Sequence, residues 1–400
     1  MDALQGVTVL DFTSHLAGPY CTKLLADLGA RVIKVERPGG DPARTLPPFL
    51  GDEPGPDRSA TFQYLNTNKE SVVLDLKQPA SRDVVRALVG LADLVVTASP
   101  PRVEEALGID YATLAGYKDL PVVAITNFGH DGPYRDYSLD DLVVYAMGAE
   151  MYSHGLASRE PLKLGGTAAT LQCGAMAAVA AMGALTAYEV HGTGQLVDVP
   201  CFTVQISNID RRSSSILAYR FSGRVQDRPA SHISGLAGGI YPVADGYVEI
   251  AALPGTYWRR FVEMIGDETL KDPAWDSPLA ALQPGARETV DAIVFPWMLE
   301  RTRAEVWEAA REHHVMCGPL YTGLDLWNDE TFRERGLWTT IQHPDLGELP
   351  MLGRPYIFEK TPWRIRSAAP RLGEHTRAVL QEAGLEPAAI ASLAAEGVIA

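Results

Sequence analysis

The fold is decided by residues 7–44, VTVLDFTSHLAGPYCTKLLADLGARVIKVERPGGDPAR. The stretch opens with a short apolar run, which is typical of a strand buried on both faces of a parallel sheet. Residues 14–30 then have the pattern of a helix closed by Gly29, and residues 31–36 form a second apolar run. A strand, a helix and a strand in this order predict a βαβ unit, which requires a parallel sheet with a right-handed crossover.

The same alternation continues along the chain. Apolar runs of strand length follow at 71–76, 93–98, 121–129 and 196–201. Together with a helical pattern at 79–91, they predict an α/β protein with a doubly wound, Rossmann-like parallel sheet. Residues 161–185, PLKLGGTAATLQCGAMAAVAAMGAL, lead from a Gly-Gly-Thr step into a long run of small apolar residues. We interpret that run as a buried core helix, not a membrane span, because its residues are small.

The second half of the chain has a different character. A hairpin signal lies around Asp245, and helical patterns follow at 256–266 and 285–314, which predict a smaller α/β lobe. The predicted organisation is a large lobe at 1–205, a polar, Arg/Ser-rich connector at 206–230, a small lobe at 231–325 and a return to the large lobe at 326–400.

Composition excludes several classes of function. The chain has 50 acidic against 35 basic residues and a net charge of −15, which argues against nucleic acid or an anionic membrane as a partner. Its four cysteines are far apart and lack a C-x-x-C spacing, so neither a structural metal site nor a disulfide framework is expected. With no pattern of a signal peptide at the start, a cytoplasmic location is predicted.

The turn after the first strand, SHLAGP at 14–19, is the first candidate binding element. It contains neither a G-x-G-x-x-G fingerprint nor a Walker motif. It still places a helix N-terminus at the carboxyl end of a strand, where α/β sheets bind anionic ligands. Arg37, at the end of the second strand, is a candidate to meet a phosphate there, the alternative being an arginine that is only solvated.

Taken together, these stretches resemble the family III CoA-transferases, the group of formyl-CoA transferase, carnitine CoA-transferase and α-methylacyl-CoA racemase. Beyond residues 7–44, the motifs that carry the resemblance are LNTNKESVVLDLK (65–77), TNFGHDGPYRDY (126–137), TGQLVDV (193–199), MCGPL (316–320) and APRLGEHTRAVLQEAGL (369–385). The resemblance implies a two-lobed subunit in an interlocked dimer, with the active site between lobes of both subunits. It also implies a CoA thioester and a carboxylic acid as substrates and no covalent cofactor.

By position, the resemblance implies six CoA-binding residues: His15, Leu16, Ala17, Arg37, Asn68 and Lys69. Arg37 and Lys69 carry charges that can neutralise phosphates, and the backbone N–H of Ala17 can donate to them. The chain departs from the family in the loop at 97–108, TASPPRVEEALG, where the acidic Glu104 and Glu105 stand beside the position of a basic residue.

The departure of greatest consequence is at the catalytic position. Alignment of PLKLG places the family's nucleophilic aspartate at Thr170, and Asp140 stands about where racemases have a histidine. A threonine ester is much less activated than a thioester, so it would trap the acyl group instead of returning CoA. A threonine also needs an adjacent base, and none is evident beside Thr170 in the sequence. Weaker candidates for the missing nucleophile are Glu150 and Cys173.

Three functional hypotheses remain open. The first is a non-catalytic subunit that pairs with a catalytic paralogue, in a CoA-transferase for which succinyl-CoA is a candidate donor. The second is a homodimer with altered CoA-thioester chemistry, as a racemase, lyase or hydrolase, and the third is a regulator that binds a CoA thioester. His130 is interpreted as capping a turn. A partly aromatic pocket is expected from Tyr145, Tyr152, His154 and Tyr241.

Overall fold

A computed structural model describes residues 1–55, 57–207, 211–225, 227–228 and 233–400, so parts of the predicted connector lie outside the described residues. The strands are β1 Thr8–Asp11, β2 Arg31–Glu36, β3 Lys69–Val73, β4 Leu94–Thr97, β5 Val122–Thr126, β6 Leu196–Pro200, β7 Ile233–Ser234, β8 Gly238–Val243, β9 Gly246–Ala251, β10 Met316–Pro319, β11 Trp338–His343 and β12 Gly347–Leu352. The α-helices are α1 Ala17–Asp27, α2 Ala60–Leu65, α3 Ser81–Leu91, α4 Pro101–Leu107, α5 Tyr111–Ala115, α6 Asp141–Met147, α7 Glu150–Ser153, α8 Ala168–His191, α9 Cys201–Ser207, α10 Arg211–Ser222, α11 Thr256–Ile265, α12 Ala286–Leu299, α13 Arg303–Glu312, α14 Gly323–Asn328, α15 Glu330–Glu334, α16 Thr376–Glu382 and α17 Pro387–Ala395.

Six strands form one parallel sheet in the order β3-β2-β1-β4-β5-β6. This is the strand order of a Rossmann sheet, in which the direction of winding reverses between β1 and β4. Leu10 lies opposite Ile33 on one side and Val95 on the other, so apolar side chains form rows across the sheet. The predicted parallel α/β sheet is therefore confirmed, although β3 begins at Lys69, ahead of the predicted start at residue 71.

Helices cover both faces of this sheet. On one face, α3 and α16 contribute to a core around Leu10, Val85 and Leu380. On the other face, α1 and α8 contribute to a core that contains Val9 and Ala177. Val9 and Leu10 are neighbours in β1 and both are fully buried, because the strand has a hydrophobic layer on each side. This is why β1 has a continuous apolar sequence and not an alternating one.

The long helix α8 packs against α1 through its small residues. A Cβ atom at Gly174 would lie 2.4 Å from the carbonyl oxygen of Ala17, so only glycine permits this approach. The other side of α8 is open, and Val179 and Val190 are 67% and 68% exposed. The prediction of a buried core helix is therefore wrong for one face of α8. Among the described residues, α8 is the one helix whose length and composition would suit a membrane span, a test that core helices of soluble proteins also pass.

The chain divides into two units. The first comprises Met1–Tyr152, Lys163–Val225 and Thr331–Ala400, and the second comprises Ser153–Leu162 and Gln226–Glu330. The first unit holds the parallel sheet and the hairpin of β11 and β12. The second unit is built on an antiparallel sheet of order β10-β9-β8-β7, whose core includes Tyr241 and Phe261.

Two segments differ from the sequence prediction. The connector at 206–230 contains a helix, α10. Because the first half of its sequence is polar, the apolar periodicity that would predict a helix is confined to its second half. The helical pattern at 285–314 forms two helices, α12 and α13, because Thr302 starts a new one. The Thr302 side chain accepts a hydrogen bond from the N–H of Glu305, and the Glu305 carboxylate accepts one from the N–H of Thr302. The first N–H groups of a helix have no carbonyl partner within that helix, and this capping box supplies acceptors for two N–H groups at the start of α13.

Candidate active site

A cavity of about 570 Å³ lies in the first unit, at the carboxyl ends of four strands of the parallel sheet. Its wall is formed by the segments that follow β1, β4, β5 and β6, together with α6 and the N-terminus of α8. Its lining residues are Ser14, His15, Leu16, Ala17, Gly18, Leu46, Ala98, Ile125, Asn127, Leu139, Asp140, Asp141, Leu142, Val144, Lys163, Gly166, Thr167, Thr170 and Cys201. The cavity spans the point between β1 and β4 where the strand order reverses, which is where doubly wound sheets bind ligands.

The turn between β1 and α1 is held in an unusual conformation. His15 has a φ of 66°, in the left-handed region, and its N–H donates to the Asp41 carboxylate over 3.0 Å. At Gly18 an added Cβ would lie 2.1 Å from the Cβ of Thr13, so the turn has no space for a larger residue. These contacts fix the backbone of the turn, and the exposed His15 lines the cavity together with the first residues of α1.

Two buried ion pairs, Lys69–Asp11 and Lys34–Asp41, contact the residues of this turn and of α1. Lys69 donates to the carbonyl oxygen of Pro19 and the hydroxyl of Thr22, and lies 3.3 Å from the Asp11 carboxylate. Lys34 lies 2.7 Å from Asp41. Burial alone would raise the pKa of Asp11, but Lys69 and Lys34, with hydrogen bonds from two threonines, lower it to about 2. Burial lowers the pKa of Lys69 to about 8 even though Asp11 opposes that change.

The structure therefore separates the six CoA-binding candidates into three groups: residues that line the cavity, residues engaged within the fold, and the exposed Arg37. His15, Leu16 and Ala17 line the cavity together with Thr170. The side chain of Lys69 is fully enclosed by oxygen atoms of the protein, which leaves its ammonium group no open side for a phosphate. The expectation that Lys69 neutralises a phosphate is not met by this geometry, because the charge is already compensated by Asp11.

The side chain of Asn68 is also engaged in hydrogen bonds within the fold. Its amide donates to the Asp27 carboxylate and to the carbonyl oxygen of Arg364, and its side-chain oxygen accepts from the N–H groups of Arg366 and Ser367. These contacts attach the C-terminal segment to α1, and the expected role of Asn68 in CoA binding is not met. Arg37 is exposed on the loop after β2, where its Nε donates to the carbonyl oxygen of Gly40.

Thr170 lies in the first turn of α8, and it has a carboxylate beside it. Both its N–H and its hydroxyl donate to Oδ1 of Asp141 over 2.9 Å. The other carboxylate oxygen, Oδ2, lies 2.7 Å from Nζ of Lys163. Asp141 is the first residue of α6, and 12% of its side chain is exposed. The expectation of no acid or base next to Thr170 is therefore wrong in space, although it holds along the sequence.

Lys163 is fixed by the loop that precedes α8. Its ammonium group donates to the carbonyl oxygens of Leu164 and Gly166, over 2.9 and 2.5 Å, in addition to its ion pair with Asp141. The loop thus folds around the ammonium group and holds it at the N-terminus of α8. Lys163, Thr170 and Asp141 form a polar group on a wall that is otherwise mainly apolar.

The other sequence-based nucleophile candidates are placed less favourably. Cys173 is fully buried, and both its contact with Cys201 and its burial raise the pKa of its thiol, so the reactive thiolate is disfavoured. Glu150 is buried, and it does not line the cavity. His130 is half-buried, with Nδ1 3.2 Å from the Asp198 carboxylate, which raises the pKa of the imidazole.

A second acidic group lies near His130, on α4. The side chain of Glu104 is buried and accepts a hydrogen bond from the N–H of Ser99. Burial raises the pKa of Glu104 to about 7, although Thr97, Ser99 and His130 act in the opposite direction. The acidic departure from the family noted at Glu104 is thus a carboxyl group inside the fold and not a charge on the surface.

None of the residues expected to form an aromatic pocket lines this cavity. Among the described residues that line the cavity, none is a phenylalanine, tyrosine or tryptophan. Tyr241 is instead fully buried in the core of the second unit, where its ring packs against Phe295 at 5.4 Å. Tyr145 is buried beside Val144 in a small cluster under α6. Aromatic residues are frequent in any core, and the sequence offered no means of separating these from pocket residues.

A Rossmann-type sheet with a cavity at its switch point and a helix N-terminus in the cavity wall is the arrangement by which α/β proteins bind anionic small molecules. Residues 4–376 match the family model of CoA-transferase family III, and the chain belongs to this family. The resemblance seen in the sequence is confirmed. Members of the family use CoA thioesters as substrates and need no covalent cofactor.

Known proteins resemble this chain over almost its whole length. A succinyl-CoA:(R)-benzylsuccinate CoA-transferase subunit, BbsE of Thauera aromatica, is 31% identical and matches over 94% of this chain and 93% of its own. A succinyl-CoA–D-citramalate CoA-transferase of Chloroflexus aurantiacus is 31% identical over 99% and 98% of the two chains. The crystal structure of a CAIB/BAIF family protein from Brucella suis superposes with a TM-score of 0.84, at 29% identity, over 96% of this chain and 99% of that one.

Proposed function

We propose that this protein is a subunit of a CoA-transferase that moves CoA between succinyl-CoA and a second carboxylic acid. The observation that carries the proposal is the cavity at the switch point of the sheet, with a carboxylate held at the N-terminus of α8. Two relatives that match nearly the whole chain are named as transferases that use succinyl-CoA, which supports this donor. The acceptor acid stays open.

CoA enters this proposal through the first turn. His15, Leu16 and Ala17 line the cavity, and the N–H groups at the start of α1 are suited to an anionic part of CoA. Arg37 is exposed on the next loop along the same edge of the sheet, and its guanidinium suits the phosphates. Neither Asn68 nor Lys69 is retained in the proposed CoA site, because both are engaged within the fold.

We propose that the working unit is a dimer, either of this chain with a related subunit or of two copies. One relative is itself named as a subunit, which supports the first arrangement. Helix α10 supports a large interface, since Leu217, Tyr219 and Phe221 are 56%, 54% and 89% exposed. Exposed apolar surface of this kind is typical of surfaces that bind another protein.

The reactive carboxylate has two candidate positions. In the first, it belongs to the partner subunit, and this chain contributes the fold and the cavity wall without carrying out the covalent step. The assignment of the carboxylate to the partner subunit depends on the absence of a carboxylate near Thr170. Asp141 provides one, and this observation favours a second candidate, in which this chain has its own reactive group. In both cases Thr170 forms no acyl intermediate, because its ester would not return CoA.

The test is CoA exchange by the purified chain, alone and together with a neighbouring paralogue where the genome encodes one. The assay uses succinyl-CoA with a panel of carboxylic acids and follows the new acyl-CoA by mass spectrometry. Transfer to one or more acids, with release of succinate, is the expected result. If both preparations bind CoA but exchange none, the protein is a CoA-binding regulator, and if hydrolysis alone is seen, it is a thioesterase.

A further inference from the structure

We propose that Asp141 is the nucleophilic carboxylate of this site. The inference rests on the proposed CoA transfer and names the group that carries it. In the sequence, the position equivalent to the family's nucleophile is a threonine. The first turn of α8 contains no acidic residue. In the structure, a carboxylate from α6 occupies the space beside that threonine, on the cavity wall.

The geometry gives Asp141 the surroundings that an attacking carboxylate needs. The side chain lines the cavity and 12% of it is exposed, but Oδ2 itself is buried against Lys163. Oδ1 is held by two donors of Thr170 at 2.9 Å, and Oδ2 faces Nζ of Lys163 at 2.7 Å. Lys163 is in turn held by the loop before α8, so that both partners of the carboxylate are fixed before a substrate binds.

The proposed reaction is balanced with this carboxylate alone. When Lys163 moves aside, Oδ2 of Asp141 attacks the carbonyl carbon of the acyl-CoA, the C–S bond breaks, and a mixed anhydride and the CoA thiolate are formed. The thiolate then attacks Cγ of Asp141, which releases the donor acid as its carboxylate and leaves CoA as a thioester of Asp141. The acceptor carboxylate attacks that thioester, and the returning thiolate takes the acceptor acyl group and restores the Asp141 carboxylate.

Thr170 then has a part in the reaction that does not require it to be a nucleophile. When the thiolate attacks Cγ of Asp141, negative charge develops on Oδ1. The N–H and the hydroxyl of Thr170 are already directed at that oxygen, at 2.9 Å, which is within the range of an oxyanion hole. The N-terminal end of the α8 helix dipole favours the same charge. A hydroxyl at position 170 is therefore an advantage once the carboxylate comes from α6.

The competing explanation is that Asp141 only caps α8. The same chain contains such a contact elsewhere, since Asp110 accepts from the N–H of Thr113 at 3.1 Å and from its hydroxyl at 2.6 Å. Asp110 does not line the cavity and has no lysine among its ion pairs in the described part of the chain. Asp110→Asn is therefore a matched control for loss of an Asp–Thr cap without loss of a cavity carboxylate.

The first experiment traps the enzyme thioester, which forms from the donor alone. The purified protein, alone and with its paralogue, is incubated with succinyl-CoA and then with hydroxylamine, and the modified residue is located by peptide mass spectrometry. A hydroxamate at Asp141, absent in Asp141→Asn and present in Asp110→Asn, is the expected result. A hydroxamate at another residue of this chain, or on the partner only, overturns the inference and leaves the proposed function intact.

The second experiment measures CoA exchange in variants whose melting temperatures are recorded in parallel. Asp141→Asn should lower the rate by more than about 1,000-fold, and Asp110→Asn should lower it by less than about threefold. Thr170→Val should lose about 100-fold, as for removal of one oxyanion donor. Exchange by Asp141→Asn at the rate of Asp110→Asn refutes the role of Asp141, whereas absence of exchange and of any label in the unmodified protein refutes the proposed function as well.

A third variant keeps the inference testable if Asp141→Asn fails to fold. The double substitution Asp141→Thr with Thr170→Asp moves the carboxylate across the same contact. It keeps one acid and one threonine between α6 and α8, and it should recover at least about one tenth of the exchange rate. Recovery in the double variant, together with loss of exchange in a folded Asp141→Thr single variant, supports a cavity carboxylate at this contact as the group that the reaction needs. A folded double variant without exchange or label contradicts it.

Discussion

At the scale of single residues, the same chemical group serves different purposes according to its surroundings. Lys69 and Lys163 are both lysines beside an aspartate. The side chain of Lys69 is fully buried at the start of β3, whereas the side chain of Lys163 lines the cavity and is 22% exposed. Burial of a charge is tolerated only when the partner charge is equally buried, so the first pair is structural, and only the second can meet a substrate.

Substitution of Lys69 by methionine tests this assignment. It would leave the fully buried Asp11 without its main counter-charge, and we expect the free energy of unfolding to fall by about 3–5 kcal/mol. Chemical denaturation measures the change, with Lys77→Met, an exposed lysine, as the control. A well-folded Lys69→Met protein whose only defect is a raised KM for the CoA thioester would return Lys69 to the list of phosphate ligands.

Arg37 gives a prediction of the opposite kind. Its side chain is exposed and makes a single described hydrogen bond, to the carbonyl oxygen of Gly40, so its removal should cost little stability. Loss of a charged hydrogen bond to a phosphate should weaken CoA binding by about 1.5–3 kcal/mol. Isothermal calorimetry with CoA compares Arg37→Ala with Arg377→Ala, an exposed arginine of α16. Equal affinities in the two variants would remove Arg37 from the site.

At the scale of elements, the contact between α1 and α8 determines where Thr170 lies. The two helices approach so closely at Gly174 that an added Cβ would contact the backbone of Ala17. Gly183 lies in the same helix, and an added Cβ would contact nothing within 4 Å. Alanine substitutions at Gly174 and Gly183 therefore distinguish the destabilisation caused by steric crowding from the stabilisation that alanine normally gives a helix.

We expect Gly174→Ala to lower the free energy of unfolding by about 1–3 kcal/mol, because two packed helices must move apart. Gly183→Ala should raise it by up to about 1 kcal/mol, since alanine favours the helix. Thermal and chemical unfolding of both variants measure the difference. If Gly174→Ala proves as stable as Gly183→Ala, then the two helices are not in the close contact described here.

The buried carboxyl group on α4 predicts a pH dependence of stability. Glu104 has a pKa of about 7 in the folded protein against an ordinary value of 4.5, so the unfolded chain loses this proton first. Its contribution to stability is therefore present at low pH and is lost as the pH rises from about 4.5 to about 7. His130, whose pKa is raised, loses its contribution in the same direction as the pH rises through its folded value.

Glu104→Gln should remove that loss. Its free energy of unfolding should exceed that of the unmodified protein by roughly 2–3 kcal/mol at pH 8 and by much less at pH 5. Urea denaturation at the two pH values gives the comparison, and Glu105→Gln, at an exposed neighbour, serves as the control. A difference that is independent of pH, or that is larger at pH 5, would show that Glu104 does not titrate in this way.

The sequence predicted elements well where one local pattern decided the structure. The strand at 31–36 has its predicted bounds, because a short apolar run after a glycine-closed helix has few alternatives. Asp141 could not be predicted as a neighbour of Thr170, since 29 positions separate them and the contact depends on how α6 packs against α8. Lys69 was misassigned for a similar reason, because its partner Asp11 is 58 positions away.

At the scale of the whole molecule, the isolated chain leaves a large apolar surface open on α8 and α10. We expect a partner to cover it, in an interface well above the ~1,600 Å² of a standard complex. Sedimentation at micromolar concentration should show a dimer, and Phe221→Asp should shift it towards monomer. Gln78→Asp, at an exposed position before α3, should leave the dimer unchanged. A monomeric unmodified protein would contradict the proposed assembly.

The buried charges beneath the first turn also have an evolutionary consequence. Asp11, Lys34, Asp41 and Lys69 contain two acids and two bases, and each acid lies within 3.3 Å of a base. A single substitution at any of them would leave a net charge in the interior, whereas a paired exchange or a joint loss would not. Mutational drift at these four positions should therefore be correlated. Across a deep set of related sequences they should persist together or be replaced in pairs, even in lineages that have changed their substrate.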